Sequence, residues 1–208
     1  GDDGYETQCG SYTAFIKKAA QGNGVSLTGN GIGLSWEFVG TEASVNTAVA
    51  AMSLDEETGS PSDPTPVEQE TSALRDGIGV QSAYRSIADG TDLEYTILGG
   101  QVKENIVVRK PAASYLYYFA LHADGMTVTL SADNTVVLKK NGAEDSAAPE
   151  MTIPAPFMTD ANGVYSQNVQ YGLEDQGEGT YLFVVEADAE WMNADERAFP
   201  VIIDPQVV

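Results

Sequence analysis

One histidine, one cysteine and 31 carboxylates are the side chains of this 208-residue chain with the greatest reach into proton, metal or covalent chemistry. A single imidazole, His122, excludes multi-histidine zinc sites and leaves one base for any Ser-His-acid arrangement. In strand parity it falls with Leu116, Tyr118 and Ala120 beside a turn, the setting of a surface histidine at a strand end. Cys9 lies among Gly, Ser and Gln with no base close in sequence, so an inert thiol is expected, and one cysteine closes no disulfide within the chain. Gly29-Asn30-Gly31-Ile32-Gly33 lacks the spacing and the strand-to-helix setting of a dinucleotide fingerprint and reads as a hairpin turn.

Among the carboxylates, Glu104 stands out because it shares a strand face with Val102, Ile106 and Val108, so regular pleating would bury it. Once buried, it would either pair with a base such as Arg109 or Lys103 or have a raised pKa, and the plainer solution is a bulge that turns it outward. Asp160 and Asn162 open a stretch similar to the start of a calcium loop, but the later ligands and closing Glu of an EF-hand are missing, so they are metal candidates that read primarily as a turn. No two carboxylates are singled out as a glycosidase pair. The aromatic residues supply another route: Trp191, Tyr165 and Tyr171 are the ligand-binding candidates if their rings face solvent, whereas core packing is the plainer role for most of the tyrosines. No cofactor is expected.

These residues need a scaffold, and the dominant period along the chain is two. Leu34-Ser35-Trp36-Glu37-Phe38, Asp92 to Ile97 and Met126 to Leu130 alternate apolar with polar, as strands with one buried face do. Tyr115 to Leu121 and Tyr181 to Val185 are apolar on both faces and read as central strands. Thr13 to Ala20 and Ala43 to Met52 are ambiguous, with strand favoured over helix. Gly99-Gly100, Asn141-Gly142 and Ala161-Asn162-Gly163 punctuate the runs. Short strands joined by such turns predict an all-β fold, an antiparallel β-sandwich forming a single module over residues 1–208. Residues 55–76, acidic and containing Pro61, Pro64 and Pro66, are expected to be a loop insertion, too poor in apolar side chains to offset the entropy of ordering.

Composition narrows the function classes. A net charge of −21 argues against phosphate backbones and anionic lipid as partners, so no nucleic acid and no membrane insertion are expected. A 42% apolar content is too high for a disordered chain, and no apolar run approaches the ~20 residues that span a bilayer. A start at Gly1 without a signal segment reads as a piece of something longer.

The order of certain segments is similar to a known module. Ile87-Ala88-Asp89-Gly90-Thr91-Asp92-Leu93-Glu94-Tyr95 followed by Val102-Lys103-Glu104-Asn105-Ile106-Val107-Val108, then Ile153-Pro154-Ala155-Pro156-Phe157-Met158-Thr159-Asp160, and finally Trp191-Met192-Asn193 with Arg197-Ala198-Phe199-Pro200-Val201-Ile202-Ile203-Asp204-Pro205, resemble the core and closing strand of a bacterial surface-protein module. That module stands upstream of DNRLRE domains and YD/RHS-repeat regions in large wall-associated proteins, mostly Gram-positive. The resemblance covers residues 79–205 well and 12–39 loosely, and the 55–76 insert departs from it. It implies an all-β, extracellular, cell-surface module and supplies no catalytic residues. The expectation is therefore a non-catalytic structural or adhesion module and not an enzyme, with neighbouring domains of the same polypeptide and a host or wall glycan as partners. A carbohydrate-binding module using exposed aromatics is the alternative, and a carboxylate-based glycoside hydrolase ranks last.

Overall fold

The computed structural model describes residues 3–42, 69–73, 79–98, 100–204 and 206–207. The ambiguous 43–52 segment lies outside them. So does the 55–76 insert apart from Gln69–Ala73, which is a strand and not loop.

The chain is all-β and antiparallel, as the alternation predicts. One seven-stranded sheet runs in the order β1 (Gly4–Cys9), β2 (Tyr12–Lys17), β3 (Val25–Gly29), β4 (Ile32–Thr41), β9 (Leu116–Asp124), β16 (Thr180–Ala187), β15 (Val169–Gly177). The facing eight-position sheet runs β14 (Tyr165–Ser166), β13 (Phe157–Thr159), β17 (Val201–Asp204), β8 (Gln101–Val108), β7 (Thr91–Leu98), β6 (Gly79–Ala88), β5 (Gln69–Ala73), with β18 (Gln206–Val207) also on β8. A small third sheet is built from β10 (Met126–Leu130), β11 (Val136–Lys140) and β12 (Met151–Ile153). A 3₁₀ turn at Ala19–Gln21 and a short helix, α1 (Ala189–Met192), complete the elements among the described residues.

β4 shows why these residues form strands. Its even-numbered side chains Ile32, Leu34, Trp36 and Phe38 are buried, and its odd-numbered residues, Ser35 and Glu37 among them, are partly exposed. A single residue slip would exchange the two faces, so burial sets the register. The inward rows of all three sheets merge in one apolar cluster containing Phe119, Tyr95, Ile106 and Leu138. Trp36 meets Tyr95 across the sheets with ring centroids 6.3 Å apart in an edge-on arrangement. β9 and β16 are central, matching the two runs that are apolar on both faces.

Of the turns that place glycine at positive φ, two show how crowding differs between them. Glu178 and Gly179, both at positive φ, form the two-residue loop between Gly177 and Thr180. The Gly179 carbonyl accepts from the Ala123 N–H at 2.8 Å, and a Cβ at Gly179 would lie 2.7 Å from the Ala123 carbonyl oxygen. Gly142, at φ +78, faces open space. Gly142→Ala should therefore cost only the left-handed backbone penalty, about 1–2 kcal/mol. Gly179→Ala should cost distinctly more in urea denaturation, because it also drives backbone against backbone.

Candidate functional site

A ladder row crosses the outer face of the seven-stranded sheet. Phe15 on β2 pairs with Ser26, Ser26 with Ser35, Ser35 with His122, and His122 with Thr180. The two serines are short, and the larger groups around them enclose a cleft of about 180 Å³. Phe15 forms one wall; a Cβ at Gly4 would collide with its ring, so glycine lets the aromatic lie down over β1. Lys17 and Glu37 form another wall, joined at 2.6 Å, and His122 with Thr180 the third. Ser35 stands directly across from His122, yet the imidazole Nδ1 turns the other way, 3.1 Å from Thr180 Oγ1. The cleft thus offers hydroxyls, an imidazole and a neutralised ammonium–carboxylate pair, a set suited to hydrogen-bonding a polar group. Parity placed Ser35 and Glu37 on an outer face; the strand carrying Ser26 was not read, nor which strands lie side by side, so the cleft was missed.

Glu104 does face inward, in a ladder with no irregularity between β7 and β8. The expected bulge is absent, and the expected ion pairs are formed elsewhere: Lys103 Nζ lies 2.6 Å from Asp204, and Arg109 binds Asp92. The Trp36 indole N–H donates to Glu104 Oε2 at 2.8 Å. Tyr95 lies opposite Glu104 on β7, its hydroxyl buried without a well-aligned partner yet close enough to help stabilise the carboxylate. Burial outweighs both groups and pushes the Glu104 carboxyl up to about 7.

Asp160 is fully engaged. Oδ1 accepts from the N–H groups of Asn162 and Val164 at 2.9 and 2.8 Å, and Oδ2 accepts from Arg197 Nη1 at 3.0 Å and the Ala198 N–H at 3.3 Å. Burial pushes this carboxyl up, but the donors win and hold it below its ordinary value. Asn162 contributes its N–H to this turn. Among the described residues no group of three or more His, Cys, Asp or Glu is placed to hold a metal ion. Arg197 also donates from Nε to the Trp191 carbonyl and lays its guanidinium 3.5 Å from the centre of the Trp191 ring. Trp191 is thus half-buried against a cation.

The other aromatic candidates separate. Tyr171 is buried, its hydroxyl donating to the Pro154 carbonyl at 3.1 Å. Tyr165 is 54% exposed and packs on Phe157 with ring centroids 5.3 Å apart. Cys9 is buried and its thiol pushed up by that burial. A second carboxylate, Asp92, which sequence reasoning passed over, accepts from Arg85, Arg109 and the Ser86 N–H. It ties down the β6 irregularity at which Ser86 takes positive φ.

Substitutions should sort these roles. Tyr171→Phe should lower stability by about 1 kcal/mol through the lost hydrogen bond, whereas Tyr165→Ala should stay within about 0.5 kcal/mol in the same urea titration. For Asp160 the folded-state pKa is depressed, so its stabilisation is present above the ordinary carboxylate range and is lost as pH falls through the folded-state value. Asp160→Asn should therefore show its largest Tm deficit near neutral pH and a shrinking one as pH falls below the ordinary carboxylate range. Asp89→Asn, which breaks only the exposed pair with Lys110, should leave Tm unchanged in the same calorimetric series.

No family model matches the chain, and no solved structure matches it significantly. It has weak similarity to curated proteins of Bacillus. The tRNA nuclease WapA of Bacillus subtilis is 28% identical over 129 residues, which are 59% of this chain and 5% of the relative. The tRNA(Glu)-specific nuclease WapA of Bacillus subtilis subsp. natto matches to the same extent. The tRNA3(Ser)-specific nuclease WapA of Bacillus spizizenii is 27% identical over 129 residues, with the same shares covered. The chain thus spans about one-twentieth of the length of these relatives. Among the described residues no helix is long and apolar enough to cross a membrane. The names of the relatives overturn three expectations: a non-catalytic structural or adhesion module with its glycan-related alternatives, the absence of an enzyme, and the exclusion of nucleic acid as a partner. The physical reason is one of scope, since the charge of 208 residues limits the partners of those residues and not of a polypeptide many times longer. What the comparisons establish is a partial, distant likeness to the tRNA nucleases WapA of Bacillus.

Proposed function

We propose that this chain works as one β-module within a long polypeptide that cleaves tRNA, lying upstream of DNRLRE-type and YD/RHS-repeat regions in an extracellular, wall-associated setting. The observation that carries the reading is the similarity, over 59% of the chain, to proteins named as tRNA nucleases. The resemblance of residues 79–205 to the surface-protein module supports the position and the setting. In this reading the cations that neutralise tRNA phosphates come chiefly from other stretches of the polypeptide. Lys17, Arg85, Lys103, Arg109 and Arg197 are already paired with carboxylates in this module, and a phosphate would have to displace those partners.

The test is to incubate the intact polypeptide that contains this chain with total tRNA and follow the products on a denaturing gel. Discrete shortened tRNA fragments are expected. tRNA left whole, with and without added divalent cation and across neutral pH, would overturn the reading.

A further inference from the structure

We propose that Glu104 is a proton-operated latch between the two large sheets: with its proton it joins β8 to Trp36 and Tyr95 in a neutral core, and without it an unneutralised anion loosens their packing. This inference does not depend on what the longer polypeptide cleaves.

The geometry carries it. Glu104 is 4% exposed at the centre of the interface, and its partner at 2.8 Å, the Trp36 indole, belongs to the opposite sheet. The groups that surround the carboxyl from the neighbouring elements are neutral or acidic. β4 presents Trp36, with Glu37 on the reverse face; β7 presents Tyr95; and β6 presents Tyr84, whose ring stands edge-on to Tyr95 with centroids 6.0 Å apart. Tyr171 on β15 belongs to the same set; Asp204 on β17 acts on that tyrosine from a site where Lys103 neutralises it. The nearby cations are committed to other carboxylates, Lys17 to Glu37, Lys103 to the buried Asp204 and Arg109 to the buried Asp92. Two neutral donors are poor compensation for a buried negative charge, whereas a protonated carboxyl can accept from the indole and turn its own O–H toward the otherwise unpartnered Tyr95 oxygen.

The direction of the pH effect follows. The folded carboxyl titrates at about 7, against an ordinary value of 4.5. The stabilisation from its proton is complete below the unfolded-state value, is lost progressively as pH rises toward the folded-state value, and changes no further above it. Between these limits the unfolding constant should rise by at most about tenfold per pH unit from this group alone. Carboxylates with depressed values, such as Asp92 and Asp160, act at lower pH and with the opposite sign.

Urea unfolding of this chain and of Glu104→Gln at pH 5, 6, 7 and 8 tests the latch, since glutamine keeps an acceptor for Trp36 and cannot ionise. From pH 5 to 7 the unfolding constant of the parent should rise about 40-fold more than that of the variant; equal pH slopes would overturn the proposal. Carboxyl carbon-13 NMR of the unsubstituted chain gives a reading that needs no variant. A Glu104 midpoint near 7 is expected, and one near 4.5 would overturn the latch.

Discussion

The alternation along β4 is the constraint on which both the core and the cleft rest. Trp36 points inward, where its ring meets Tyr95 and its indole N–H reaches Glu104. Its neighbours Ser35 and Glu37 point outward, where they line the cleft with Lys17 and His122. One strand therefore fixes the distance between the sheets and the shape of the outer surface together. A change that tilted Trp36 would move both, because the backbone carrying them is held on either side by β3 and β9.

The acidic character of the chain is managed differently at different depths. Asp160 and Asp92 are buried but surrounded by N–H donors and guanidinium groups, so they remain charged and pin loops that have little apolar surface of their own. Glu104 is buried among aromatic rings and, among the described residues, has no cation bound to it. The same functional group thus serves as an anchor near the surface and as a neutralisable polar group inside, and the supply of donors makes the difference.

Much of the architecture was legible in the residues. The alternation of Leu34 to Phe38 and the two-sided apolar character of Tyr181 to Val185 gave strand identity and centrality, because a period of two leaves one face for the core. The site was less legible. Parity buried Glu104 correctly, but its partner is 68 residues away on another sheet, so proximity in sequence pointed to Lys103 and Arg109 instead. The cleft depends on β9 lying between β4 and β16, a choice that composition does not make. Tyr171 and Tyr165 look alike as letters, yet one is held inside by the Pro154 carbonyl and the other rests on Phe157 at the short edge strand β14. The functional expectation failed for a different reason: net charge speaks only for the stretch over which it is summed.

β17 has a neighbour on each side, β13 and β8, whereas β1 at the opposite extreme of the chain is paired only with β2. Tension applied to a module embedded in a long polypeptide would meet unequal resistance at its two extremities. Traction at the leading end peels a single border strand, while traction at the trailing end strips the two-residue β18 from β8 and then has to rupture the two ladders of β17 in concert. The two ends of the sandwich are consequently seated unequally, the front on one seam and the rear, behind β18, on two.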